Sequence, residues 1–497
     1  MFKNELISLV RSLSGHEKRS FKLLTKKQAG AKIYMDLYDM IEETRLDKDV
    51  RDIQLLFQKK YPRKSFENTA NYLLRLITDS LINNRKEHDK WFQQWHTIMR
   101  SRILHERSIV HAGYRELKKA QKLSFELQDN LAYYHTCKLD LNYWSDMGFP
   151  GQTENDIVQK HMKAKSSLRL LNKVQEQSSL FDILKYRTLR SGKSLSNKDN
   201  EKLNDLLLTE LSLITRDFQE NFESKKLHLL FQSFFFIHAS DFKSSLKSFN
   251  ELNELFESNE SVWSHPPYDY LSTLDGILDN LRTIRRYDVM EPYIQKVEEL
   301  SKRNYPENFQ NVTLQTAYIY RLAVYVNTKD ITKARTVLEE IPLYLLKNTI
   351  PNSFEKLAEL LFNVGLVEYA DQKLKKAIKH FNFIMSINKV NHHLAIYKAA
   401  RLMHILIHYE SKNQSYLDYE IRSYKRSNAN KDKLLKIENL VLSVVKFNPR
   451  DKLRMKNKLF WEKVSKKKDE IEQNKFENQL LKYFNFLDWI KLTLVGS

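Results

Sequence analysis

The chain has 497 residues and a formal net charge of +20, with one cysteine, nine glycines and nine prolines. Its length is several times that of a domain of roughly 100–150 residues, so it is multi-domain or a quasi-linear array. Scarce Gly and Pro exclude turn-rich β architectures and glycine-cradled phosphate loops, and predict an all-α chain of long helices with short connections. The lone Cys137 excludes an intramolecular disulfide framework and any Cys-based zinc site.

At the N-terminus, charges interrupt the apolar stretch LISLV on both sides, so no secretory signal is expected. The longest apolar stretches, FFFI at 234–237 and LVLSVV at 440–445, fall far short of the ~18 residues that span a bilayer. The expectation is a cytoplasmic protein without membrane contact. Residues 1–84 read as a helical cap. Ser14 and Glu17 form a capping-box pattern opening a helix through Lys26, and further helices are expected over 30–43, 49–59 and 65–84, the last with Ser65 as N-cap. Lys59, Lys60, Arg63 and Lys64 precede that last helix, as in a helix-turn-helix module. Its body carries only Arg75 and few base-reading groups, which favours a capping role instead.

Helix pairs are expected over roughly 93–128 and 130–175, from Ala120 and Ala164 with their flanking leucines, and a sharp turn at MGFPGQ (147–152). Helical segments at 178–190 and 200–220 flank a loop KSLSNKD at 193–199. Beyond them a register appears. Ser245, Met290, Ala334 and Ala377 recur about every 44 residues. Apolar groups precede each by three (Phe242, Tyr287, Ile331, Leu374) and follow it by four (Phe249, Ile294, Leu338, Phe381) and seven (Leu252, Val297, Ile341, Ile384). Those offsets share one helix face. A preceding helix keeps Leu229, Leu274, Tyr318 and Leu361 sixteen residues upstream. Phe236, Leu281 and Tyr325 stand nine upstream, where the fourth unit has Glu368 instead. Short polar turns between the two helices make each unit an antiparallel αα-hairpin, too small to bury its own apolar face.

The segment LFNVGLVEYADQKLKKAIKHFNFIMSIN (361–388) resembles a tetratricopeptide repeat. Leu361, Val364 and Gly365 occupy the first-helix positions, and Leu374, Ala377, Phe381 and Ile384 the second-helix positions. TKARTVLEEI (332–341) resembles the second helix again. The spacing exceeds the family's 34 residues and Lys389 stands where a closing Pro is usual. The resemblance therefore implies a degenerate, tetratricopeptide-like α-solenoid of antiparallel helix pairs, clear over about 225–390. We read four regions: a helical cap (1–84), degenerate pairs (85–220), the repeat core (221–412) and a basic C-terminal cap (413–497).

Charge is concentrated near the end. Between Arg422 and Lys468 stand sixteen Lys or Arg and four Asp or Glu. Arg422, Lys425, Arg426, Lys431, Lys433, Arg450, Lys452, Arg454, Lys456, Lys458, Lys466, Lys467 and Lys468 make this a candidate patch for nucleic acid or an acidic partner, or else a solvated basic rim. The final stretch 476–495 has apolar residues at helical spacing and is expected to seal the C-terminal end or to form a dimer interface.

Chemistry is sparse. His404 and His408 at i and i+4, with His392 and His393 nearby, would bind Zn²⁺ or Ni²⁺ only if two helices converged; satisfied packing is the default. No Walker, dinucleotide or nucleophile-elbow motif occurs, and Cys137 sits in an aromatic helix with nothing to activate it. No catalysis, cofactor or metal is expected. The reading is a non-catalytic scaffold for a protein or peptide partner, with groove candidates Gln232, Asn280, Arg321 and Asn363 on first helices. The alternatives are a nucleic-acid-associated regulator using 422–468 or 1–84, and a homo-oligomer built through the C-terminal helix.

Overall fold

The computed structural model describes residues 2–26, 33–43, 50–190, 197–216, 221–239, 241–263, 266–346, 354–387, 394–428, 434–446, 461–462, 464–466, 471–472 and 474–495. Every regular element among them is helical. The chain divides into two compact units. One comprises Met1–Val174, Asn259–Tyr268 and Asn304–Gln310; the other comprises Gln175–Ser258, Asp269–Arg303 and Asn311–Ser497.

The first unit opens with α1 (Phe2–Ser12), α2 (Gly15–Lys26), α3 (Ile33–Glu43), α4 (Val50–Lys60) and α5 (Phe66–His88). The capping box forms as read. The Ser14 amide donates to Glu17 Oε2 at 2.8 Å, and the Glu17 amide donates to Ser14 Oγ at 3.3 Å. Ser65 caps α5 by accepting from the Asn68 amide. These five helices bury Leu6, Val10, Phe21, Leu37, Tyr38, Ile53, Phe57, Leu73 and Ile77 in one core. Then come α6 (Lys90–Glu106), α7 (Val110–Glu126) and α8 (Asn130–Asp146), each packed on the one before it. Gly113 permits the close crossing of α6 and α7, since a β-carbon there would meet the Ser101 carbonyl oxygen at 3.1 Å.

One reading needs correcting. Instead of one helix ending near 175 and another beginning at 178, α9 (Glu154–Arg190) is a single helix of 37 residues. Neither Gly nor Pro occurs within it, so nothing in the backbone stops it. Of the loop at 193–199, residues 193–196 lie outside the described residues, and 197–199 already belong to α10 (Asn197–Arg216).

Wholly or mostly in the second unit follow α11 (Phe222–Ala239), α12 (Phe242–Ser258), α13 (Tyr268–Thr283), α14 (Glu291–Lys302), α15 (Glu307–Asn327), α16 (Ile331–Glu340), α17 (Phe354–Ala370), α18 (Leu374–Ile387), α19 (Ala395–Glu410), α20 (Gln414–Asn428) and α21 (Lys436–Val444). Neighbouring helices pack pairwise, as α11 on α12, α17 on α18 and α19 on α20. The four marker residues, Ser245, Met290, Ala334 and Ala377, are all fully buried. Met290 stands just before α14 rather than inside it, after a 3-10 turn at Tyr287–Val289. The closing stretch is two helices instead of one: α22 (Lys475–Leu481) and α23 (Phe486–Val495), joined by Lys482, Tyr483, Phe484 and Asn485.

Six helix ends follow one recipe. Ser108, Gln128, Arg285, Lys329, Gln372 and Lys412 all have φ between 52° and 62°, the left-handed conformation normally left to glycine. Each is followed by an amide that reaches five residues back: Arg286 to the Leu281 carbonyl, Asp330 to Tyr325, Lys373 to Glu368 and Asn413 to His408, all at 2.8–3.0 Å. Phe149 (φ 55°) takes the same conformation in the turn at 147–152, between Gly148 and Gly151 at φ 73° and 67°. These hydrogen-bonded turns replace the glycines that the chain lacks.

The largest apolar core holds Leu357, Leu361, Phe362, Phe381, Leu402, Leu406, Val441, Leu480, Phe486, Leu487 and Ile490. Two helices are buried nearly all round. α19 covers twelve of its sixteen residues and α17 an unbroken run from Leu360 to Glu368. A helix buried over most of its circumference must be covered on most sides. For α17 and α19 the C-terminal helices α22 and α23 supply part of that cover, because they belong to the same core.

Candidate functional site

Asp275, Asp279 and Arg282 follow one another on α13, Tyr320 sits on α15, and Lys356 and Glu359 sit on α17. Spacings of three and four residues put each helix's charges on one face. With Lys482 and Tyr483 from the bend between α22 and α23, they form a charge cluster, half-buried at its carboxylates and lysines and buried at Arg282, Tyr320 and Tyr483. Arg282, 2% exposed, is its centre. Arg282 Nη2 donates to Asp279 Oδ1 at 2.6 Å and to Glu359 Oε1 at 3.4 Å. Its guanidinium lies between two rings, 5.3 Å from the Tyr320 centroid and 5.0 Å from that of Tyr483. Tyr483 Oη donates to Glu359 Oε1 at 2.9 Å. Lys482 Nζ reaches both Asp279 oxygens, at 3.1 and 3.0 Å. Lys356 pairs with Asp275, which also accepts from Tyr320 Oη at 2.8 Å.

The electrostatics follow from burial and pairing. Burial alone works against ionising Asp279, but Lys482 and Arg282 outweigh it and hold the carboxyl well below its ordinary range. Burial likewise opposes the Glu359 carboxylate, and Arg282, Lys356 and Lys482 again prevail, so it too is lowered. Burial, reinforced by the nearby carboxylates, pushes the phenols of Tyr320 and Tyr483 well above their ordinary value. Asp279, Glu359, Tyr320 and Tyr483 are each thereby held in one protonation state near neutrality. The arrangement pairs charges and rings in a defined geometry.

The bend is held from both sides. Upstream, Glu477 accepts from the Lys436 and Ile437 amides at 2.6 and 3.0 Å and so caps α21. Downstream, Trp489 Nε1 and Tyr369 Oη both donate to Glu410 Oε1, at 2.9 and 2.7 Å. The Tyr483 ring meets Phe362, and Phe484 meets Tyr369.

The groove candidates lie on α11, α13, α15 and α17. Asn280 and Asn363 are buried, and each Nδ2 donates to the carbonyl four residues back in its own helix, Gly276 and Glu359, at 2.8 Å. Arg321 is half-buried and pairs with Glu298 on α14, at 2.9 Å from Nη2 to Oε2. Gln232 is half-buried on α11. The sequence reading missed Asp275, Asp279, Arg282, Glu359, Lys482 and Tyr483. A signal existed in charges spaced three and four apart within the apolar helices YDYLSTLDGILDNLRT and FEKLAELLFNVGLVEYA. Nothing local in the sequence pairs either helix with residue 482.

Of the basic patch, Arg422, Lys425, Arg426 and Lys466 are described, and all four are exposed. The remaining nine candidates lie outside the described residues. The like charge of Lys446 lowers the Lys425 ammonium below its ordinary range. In the first unit Lys59, Lys60, Arg63 and Lys64 are exposed, and Lys60 pairs with Asp36 at 3.1 Å. Cys137 is buried, accepts from Gln121 Nε2 at 3.3 Å, and has its thiol pushed up by burial. His404 is buried beside His408, with ring centroids 4.6 Å apart, and has no hydrogen-bond partner at either nitrogen. His392 and His393 lie outside the described residues. Among the described residues no three His, Cys, Asp or Glu side chains are grouped to hold a metal ion, and no helix is long and apolar enough to cross a membrane. The chain matches no protein-family model, no curated protein and no solved structure.

Proposed function

We propose that the protein is a non-catalytic scaffold for a protein or peptide partner, built as a degenerate tetratricopeptide-like solenoid and working in the cytoplasm. The observation that carries this reading is the face of α13, α15, α17 and α19, which holds a bent helical segment of chain through matched charges, aromatic contacts and apolar packing. A face that grips one helical segment this way has the chemistry of a helix-binding groove. The buried markers Ser245, Met290, Ala334 and Ala377 support the hairpin array behind it. Affinity capture from lysate at low and moderate salt, with and without nuclease, tests the reading. Protein partners retained after nuclease at moderate salt support it, and a capture that vanishes with nuclease refutes it. That second outcome is the one expected of the nucleic-acid reading, which the exposed Arg422, Lys425, Arg426 and Lys466 favour. Binding of that kind weakens steeply as salt rises.

A further inference from the structure

Three features of the charge cluster bear on what its face binds. First, Arg282, Lys356 and Lys482 balance Asp275, Asp279 and Glu359, three cations against three carboxylates. One of those cations, Lys482, comes from the C-terminal segment. Without that segment the face is left with one excess negative charge and an aromatic wall at Tyr320 and Phe362. Second, the segment fits imperfectly. Arg282 Nε, on a side chain 2% exposed, has no hydrogen-bond partner while the segment is in place. A buried unmet donor on a charged group is costly, and an incoming acceptor would recover that cost. Third, the apolar side chains Leu480, Phe486 and Ile490 supply the general adhesion of the segment, while partly buried ion pairs add little net stability. What the arrangement does supply is selectivity for a lysine followed by an aromatic residue.

We infer that the segment Lys475–Val495 is an exchangeable occupant of this face, standing in for a partner peptide. That partner is helical on either side of a bend, carries Lys-aromatic at the bend, and adds a carbonyl or carboxylate acceptor for Arg282. This inference rests on the scaffold reading and names the chemistry of its partner. Asp279 reads the lysine, Glu359 and Phe362 read the phenol and its ring, and Tyr369 receives the ring that follows. The protein's own tail occupies the face until the partner displaces it. Glu477 at the foot of α21 and Trp489 on Glu410 set how firmly the tail is held.

The test uses the full chain and a fluorescent synthetic peptide of residues 475–495. Fluorescence anisotropy should show the peptide binding K482A/Y483A at least tenfold more tightly than wild type, whose own tail competes. The substitutions D279N/E359Q introduced into K482A/Y483A, or a peptide with its Lys and Tyr both changed to Ala, should abolish that binding. Equal affinity for wild type and K482A/Y483A, or no binding to a K482A/Y483A chain with native circular dichroism, overturns the inference. Hydrogen exchange on the wild-type chain is independent of any variant's folding. Amides of α22 and α23 should exchange at least tenfold faster than those of α19, and equal protection overturns exchangeability. The two readings fail separately. Lysate partners that D279N/E359Q captures as well as wild type leave the scaffold standing and remove this site. Peptide binding without any captured protein does the reverse.

Discussion

His404 offers the most direct test of how the second unit is held together. It sits on α19, 1% exposed, with both ring nitrogens unpartnered and Arg401, His408 and Tyr416 as its polar neighbours. Burial first, then the charges of His408 and Arg401, lowers its pKa to about 4. The unfolded chain therefore binds a proton near pH 6.5 that the folded chain refuses until about pH 4. Stability from this residue is complete above pH 6.5 and is lost as pH falls toward 4. Between pH 8 and pH 5 the loss is about 2 kcal/mol, the free energy of protonating only the unfolded form. At a urea slope of ~2 kcal/mol/M this lowers the midpoint by about 1 M. His408 and His380 are lowered by burial as well and act in the same direction, but they persist in a His404→Leu variant and drop out of the comparison. Urea titrations of wild type and H404L at both pH values should show the variant losing about 2 kcal/mol less. Equal losses would mean that His404 is hydrated or partnered in solution, and the reasoning from its burial would be wrong.

Two further outcomes follow from the packing. Arg282→Met should cost up to about 3–5 kcal/mol in urea unfolding, because it removes the buried cation that Asp279 and Glu359 share. Adding Glu359→Gln should restore part of that loss, and an additive loss would place the two groups in separate environments. Gly276→Ala should lower the melting temperature, since its β-carbon would lie 2.5 Å from Phe249 Cε1 and Cζ. Overpacking of about 1–3 kcal/mol exceeds the gain of about 1 kcal/mol in helix propensity. Gly15→Ala meets nothing nearer than the tip of Arg19 at 4.0 Å and serves as the control.

Helix class, the Ser14 and Ser65 caps and the buried faces around Ser245, Met290, Ala334 and Ala377 were readable because each depends on neighbours within a turn or two. The length of α9 was legible in principle, through the absence of Gly and Pro, but the register of apolar residues suggested a break that the backbone did not require. Asn280 and Asn363 read as groove residues because polar side chains on a first helix face water when nothing else lies there. Both are buried, and each is bonded to a carbonyl of its own helix. The partnership of Asp279 with Lys482 spans 203 positions, and no periodicity encodes it. Only the run from Leu360 to Val367 of α17, apolar but for Asn363, hints that a second layer must exist.

The turns carry a thermodynamic consequence. Seven non-glycine residues, Ser108, Gln128, Phe149, Arg285, Lys329, Gln372 and Lys412, hold φ between 52° and 62°. Each such residue costs roughly 1 kcal/mol relative to glycine in the left-handed region. Together that is comparable to the whole net stability of an ordinary domain, about 5–15 kcal/mol. The chain thus keeps a reserve of unclaimed stability at its surface, reduced by the extra freedom glycine would bring to the unfolded state. It sits well below the most stable version of its own fold, and its helix ends are where that margin is stored.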